Sequence, residues 1–178
     1  TILGNRPWIL ADMLHSKPLV VNYGDLGSAT REDPDLRLLV GTNGGFLHMF
    51  GTDDGQEDWA FFPKELAPML KKRQDNALSS EHVYGVDGTP VLYSLDLNRD
   101  GTIDASAGDK AYVYFGLRRG GRAIYALDIS NPNTPAFLWK IDQGSAGFSE
   151  LGQSWSTPFI ARIPGYSDSN GVPKPVLV

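Results

Sequence analysis

The feature that most restricts what this chain can fold into is an internal repeat. Three proline-bearing segments each run into a short apolar stretch. They are Ser16-Lys17-Pro18 before Leu19 to Tyr23, Thr89-Pro90 before Val91 to Leu95, and Thr157-Pro158 before Phe159 to Ile163. Their prolines stand 72 and 68 residues apart. A period of this size signals one supersecondary unit used several times, with neighbouring units stacked to bury a shared core.

The rest of the unit repeats in order. Leu38-Leu39-Val40-Gly41-Thr42-Asn43-Gly44-Gly45 leads into Phe46-Leu47-His48-Met49-Phe50, a polar turn and Trp59. Tyr112-Val113-Tyr114-Phe115-Gly116-Leu117-Arg118-Arg119-Gly120-Gly121 leads into Ala123 to Asp128, a turn and Trp139. Aromatic and β-branched runs of about five residues read as strands, and Gly-Gly supplies the positive φ of a tight hairpin. Four short antiparallel strands per unit make a blade. The predicted fold is therefore all-β, a β-propeller with quinoprotein-like blades, as one partial domain over 1–178. Blade repeats fall near 14–62, 86–142 and 154–178; the third stops at Pro175-Val176-Leu177-Val178, which gives about two and a half blades. Propellers close with roughly four to eight blades, so neighbouring chain is expected to cover the edges, with a glycine soon after Val178. One segment breaks the strand pattern. Pro63 to Arg73 sets Leu66, Met69, Leu70 and Arg73 at helical spacing, predicting a short inter-blade helix with Pro68 awkwardly inside it.

Composition narrows the function. The 178 residues carry a formal net charge of −5 and no cysteine, which argues against nucleic acid and removes Cys-ligated zinc, disulfides and thiol catalysis. No run reaches the roughly 20 apolar residues needed to span a bilayer. The chain opens on Thr1 rather than Met, so it is expected to be a piece of a longer protein whose targeting segment lies elsewhere.

One connection carries metal chemistry. Asp96-Leu97-Asn98-Arg99-Asp100-Gly101-Thr102-Ile103-Asp104 sets oxygen side chains at positions 1, 3, 5 and 9 around a glycine at position 6, the spacing of EF-hand loops. Calcium is a hard ion wanting six to eight oxygens. The expected ligands are the side chains of Asp96, Asn98, Asp100 and Asp104 with the carbonyl of Thr102. Ile103 is expected to turn inward and Asp109 to serve as a reserve ligand or to hold a water. Ala107 occupies position 12, where an EF-hand has its bidentate Glu, so this is a shorter nine-residue version without flanking helices. Magnesium is disfavoured by its compact octahedral demand, and the charge count suggests an affinity in the broad range of about 10⁻⁷ to 10⁻³ M. The corresponding connections, Gly24 to Asp35 and Pro164 to Lys174, are polar loops without the ladder.

Other constellations are weaker. Gly116 to Arg122 lacks a phosphate-loop spacing and reads as a hairpin tip, with Arg118, Arg119 and Arg122 as a solvated turn or small cationic patch. Gly152-Gln153-Ser154-Trp155-Ser156 ends in Ser where a nucleophile elbow needs Gly. His15, His48 and His82 are scattered, and Trp59 and Trp139 recur at one place in the unit, as packing residues do.

Taken together, Leu14-His15-Ser16-Lys17-Pro18, the Val40 to Gly45 hairpin with His48-Met49-Phe50, Phe61-Phe62-Pro63-Lys64-Glu65-Leu66, the Gly116 to Arg122 hairpin running to Asp128, and the calcium ladder resemble the C-terminal propeller of the PilY family of type IV pilus biogenesis factors. The resemblance implies a non-enzymatic segment of a large secreted protein of Gram-negative bacteria, acting at the pilus tip, outer membrane or periplasm. Its implied partners are pilus subunits, other pilus-assembly proteins and the host surface. It also implies calcium control of pilus extension against retraction, twitching motility and adhesion, through Asp96, Asn98, Asp100, Thr102 and Asp104. The family's large N-terminal region is absent from this sequence. Two rivals remain: a quinoprotein dehydrogenase propeller using pyrroloquinoline quinone, and a structural propeller with a permanent calcium clamp.

Overall fold

The computed structural model describes residues 10–75, 82–171 and 173–178. Strands β1 (Leu19–Asn22), β2 (Leu36–Gly41), β3 (Leu47–Gly51) and β4 (Glu57–Phe61) form one antiparallel sheet in sequence order. Strands β5 (Val91–Leu95), β6 (Lys110–Gly116), β7 (Ala123–Asp128) and β8 (Ala136–Asp142) repeat the arrangement. A two-stranded sheet pairs β9 (Ile160–Ser167) with β10 (Pro173–Leu177). These are two complete blades and half of a third. The expected polar loop from Pro164 to Lys174 is shorter than the sequence suggests: β9 runs on to Ser167, which pairs with Pro173, and Gly165 at φ +82° bends the strand without ending it.

The repeat extends to irregularities. In each complete blade a bulge follows the pair that holds the tryptophan, Met49 opposite Trp59 and Ala126 opposite Trp139. Both indoles pack, partly buried, against a core cluster. Trp59 Nε1 donates to Pro132 O at 2.8 Å, and Trp139 lies 5.6 Å from the Tyr114 ring.

The main core lies between the first two blades. It joins Val21, Leu39 and Met49 to Val113, Phe115, Tyr125 and Leu127, all fully or nearly fully buried. Polar contacts cross the same seam at repeat-equivalent positions. His15 Nδ1 meets Asp87 at 2.8 Å, and Lys17 N donates to Thr89 Oγ1 at 3.2 Å. Tyr23 donates its hydroxyl to Ile129 O at 2.6 Å, a buried bond between blades.

The inter-blade helix differs in detail from expectation. A 3-10 turn, Lys64–Leu66, precedes α1 (Ala67–Asp75), so Pro68 falls in the first turn, where its missing N–H has no intrahelical partner to lose. Leu66 and Met69 are buried, whereas Leu70 is exposed. The hairpin glycines also differ. Gly45 has the expected positive φ of +98°, but at the second hairpin Arg118 takes the left-handed turn at +47°. There Gly120 serves close approach, since a Cβ on it would come 1.8 Å from Gly85 O.

Candidate metal centre

The connection from β5 to β6 begins where Asp96 leaves the sheet. Asp96 accepts from Arg99 N at 2.6 Å and Gly101 N at 2.8 Å, winding the chain around its carboxylate. Asn98 Oδ1 accepts from Asp100 N at 3.1 Å. Asp100 Oδ1 accepts from both the backbone N–H and the hydroxyl of Thr102, at 2.9 and 2.6 Å. Two left-handed residues, Arg99 at φ +60° and Gly101 at +85°, reverse the path. At Arg99 this is unusual for a residue with a Cβ, and the Asp96 hydrogen bond helps to hold it.

The loop then re-enters the protein. Ile103 is only 6% exposed, joins the main core and donates its N–H to Asn22 O of the first blade at 2.9 Å. This inward turn agrees with the sequence expectation. Asp104 caps a 3-10 turn, Ala105–Ala107, by accepting from Ser106 N and Oγ at 2.8 and 2.7 Å.

Asp109 departs from expectation. It is fully buried, and its two oxygens accept from Leu97 N at 2.9 Å and Asp104 N at 3.1 Å. It closes the neck of the loop instead of standing in reserve as a ligand. No local pattern distinguishes Asp109 from other loop aspartates; its burial comes from the sheet packed around it.

Hydrogen bonds set the charge state. The Thr102 hydroxyl, then the Thr102 N–H, holds the Asp100 carboxyl below the usual carboxylate range. The Ser106 hydroxyl and N–H do the same for Asp104, against some repulsion from Asp100. Both are therefore anionic at neutral pH. A cavity of about 350 Å³ separates this tip from the β1–β2 connection, with Asp100 and Thr102 on one side and Asp25 and Arg31 on the other.

The structure brings Asp96, Asn98, Asp100, Thr102 and Asp104 onto one exposed turn. Their donor atoms are all hard oxygens, which suits calcium. The ladder oxygens are turned largely onto their own backbone, however, and among the described residues no group of three or more His, Asp or Glu side chains is gathered to hold a metal ion. Only one of the two Asp104 oxygens is engaged by Ser106.

The remaining candidates have structural partners. His15 pairs with Asp87, His48 with Glu57 at 2.6 Å, and His82 with Asp12 at 3.3 Å. The Ser154 hydroxyl accepts from Leu117 N at 3.0 Å and donates to Ala123 O at 3.2 Å, fastening the β6–β7 hairpin to the next blade. Sequence inspection missed a cluster around this hairpin. The Arg119 guanidinium lies over both Tyr84 and Trp155, at 5.1 and 5.4 Å from their ring centroids.

Comparison with known proteins supplies the family. Residues 11–167 match the model of the PilY1 beta-propeller domain. A type IV pilus biogenesis factor PilY1 of Pseudomonas aeruginosa is 33% identical over 89% of this chain and 14% of its own length. A PilY1 homolog of Xylella fastidiosa is 34% identical over 70% of this chain and 9% of its own length. The crystal structure of the Pseudomonas aeruginosa PilY1 C-terminal domain aligns with 72% of this chain and 22% of its own, at 31% identity and a TM-score of 0.49. The chain thus spans a small part of these relatives. Its repeated four-stranded sheets and the match over residues 11–167 place it in the PilY1 β-propeller domain family of type IV pilus biogenesis factors.

Proposed function

We propose that this chain is a non-enzymatic, calcium-responsive propeller segment of a type IV pilus biogenesis factor. In this reading Asp96, Asn98, Asp100 and Asp104, with the Thr102 carbonyl, hold one calcium ion. Its occupancy biases pilus extension against retraction, and with it twitching motility and surface attachment. The protein works at the cell surface or pilus tip, or in the outer membrane or periplasm, against pilus subunits, other assembly proteins or a host surface.

The observation that carries the reading is the path of the loop. Ile103 and Asp109 fix its two ends in the protein, Gly101 turns its tip, and alternate oxygen side chains are left on the exposed side. A bound divalent cation would offset the mutual repulsion of the gathered carboxylates. The chain supplies the rest. Asp109 holds the neck closed, so ordering is confined to residues 97–104, and Ile103 couples that stretch to the first blade through Asn22.

Calorimetric titration of the full-length protein with calcium tests this. Binding is expected in wild type and at least about tenfold weaker in Asp100→Ala and in Asp104→Ala, the order seen when a ligand or its support is removed. Folded protein that takes up no calcium at millimolar concentration refutes it. If calcium binds but the variants retain normal pilus retraction and twitching, the ion is a permanent clamp and not a switch.

A further inference from the structure

The turn that carries the ladder belongs to the second blade, yet it rests on the first. Ile103 N donates to Asn22 O at 2.9 Å at the end of β1. Two residues further on, Gly24 lies directly against Thr102, since a Cβ on it would come 3.0 Å from Thr102 Cβ. Asn22 Oδ1 accepts from Gly24 N at 2.9 Å and fixes that approach. The ladder tip and the β1–β2 connection therefore stand as opposite walls of one cavity, of about 350 Å³. A charge on either wall acts on the other across that space.

Three ionisable side chains line the cavity: Asp100 from the ladder, and Asp25 and Arg31 from the first blade. Arg31 is the one cation of the three. It is exposed, and among the described residues it forms no salt bridge. The other acids of its connection are placed differently. Asp35 is engaged by Arg37 at 2.5 Å, and Glu32 and Asp33 are not among the residues that line the cavity. The Arg31 charge reaches the ladder: behind the hydrogen bonds from Thr102 and Asn98, it adds to the forces that keep the Asp100 carboxyl ionised. A cation placed there acts on calcium in two ways. It repels an incoming divalent ion, and it already satisfies part of the negative field that would attract one.

We propose that Arg31 is a built-in counter-cation to the calcium loop, which offsets the charge of the ladder from the neighbouring blade and so lowers its calcium affinity. The inference rests on the calcium reading given above and adds to it a residue that no spacing within the ladder reveals. Linkage makes the effect reciprocal. If Arg31 weakens calcium binding, calcium weakens the attraction of Arg31 to the ladder by the same factor. Occupancy of the loop is thereby felt by the β1–β2 connection through charge, in addition to the contact that Ile103 makes with Asn22. Arg31 binds no ion itself; it tunes the concentration at which the ladder fills.

The test is calorimetric titration of the full-length protein with calcium at low and at high salt. At low salt Arg31→Gln is expected to bind calcium about two- to fivefold tighter than wild type, and Arg31→Glu at least about tenfold tighter. Both gains are expected to shrink at high salt, because exposed charges are screened. Lys64→Gln removes one positive charge at an exposed position outside the cavity and is expected to leave the affinity unchanged. Arg31 is exposed on a connection, so its replacement is compatible with folding. Wild-type calcium binding that neither Arg31 variant tightens overturns the inference and leaves the calcium reading standing. An equal gain in Lys64→Gln also overturns it, in favour of net charge alone. Uptake by Arg31→Glu but not by wild type supports the role of Arg31 while removing the calcium response of the native chain. No uptake by wild type or any variant overturns both.

Discussion

At the scale of single residues, glycine positions separate two physical roles. Gly120 does not need a left-handed backbone; it needs to lack a side chain, because Gly85 O occupies the space. Gly120→Ala is therefore expected to cost about 1–3 kcal/mol by overpacking, and Gly152→Ala, with nothing within 4 Å, to fall within about 0.5 kcal/mol of wild type. Urea unfolding midpoints compare them. Asp109 is the residue on which the candidate loop depends most, since one buried carboxylate satisfies two backbone donors. Asp109→Ala should destabilise by roughly 1–3 kcal/mol and weaken calcium binding without removing any proposed ligand. Asp100 and Asp104 define a pH response. Their folded pKa values lie below the ordinary 3.8, so the hydrogen bonds they accept are fully in place above that value. They are lost only as pH falls through the depressed values, because the unfolded chain takes up protons first. Carboxyl chemical shifts followed by NMR should show both groups titrating below the ordinary 3.8.

At the scale of elements, the first blade is joined to the second by contacts between equivalent segments. His15 reaches Asp87 and Lys17 reaches Thr89, both 72 residues on, which is the repeat interval. The seam therefore copies the period of the sequence. Tyr23 adds a buried bond to Ile129 O, and burial pushes its hydroxyl well above the usual tyrosine range, keeping it a donor. Tyr23→Phe should lower stability by about 1 kcal/mol while leaving each blade's own sheet intact. Hydrogen exchange should then increase along the seam and not within β2 and β3. The 3-10 turn and α1 bridge the same two blades. Glu65 there binds Lys140 and Tyr125 of the second blade, and Met69 packs under Gly45 of the first.

At the scale of the whole molecule, the third sheet remains open. Among the described residues Phe159, Ile163 and Tyr166 on it, and Phe137 on β8, are each at least half exposed. Apolar surface of that kind is normally covered by a partner or by further structure. The isolated 178-residue chain is expected to self-associate with concentration in light scattering, and Phe159→Ser with Ile163→Ser to reduce it. Much of this architecture was legible in the sequence. Strand composition and the 72-residue interval are local or periodic signals that marked the blades and the order of strands, and the loop spacing marked the inward turn of Ile103. The ladder at 96–104 was legible in the same way, as a spacing of oxygen atoms. What only the tertiary structure decided was the work of residues whose neighbours come from another blade. Asp109 as the closing bracket, Ser154 as the clasp of the preceding hairpin, and Arg119 stacked between Tyr84 and Trp155 belong to this group. Spacing along the chain reports which side chains share a strand or a turn. Burial and electrostatic pairing depend on where the second blade packs against the first, and no short pattern of residues encodes that.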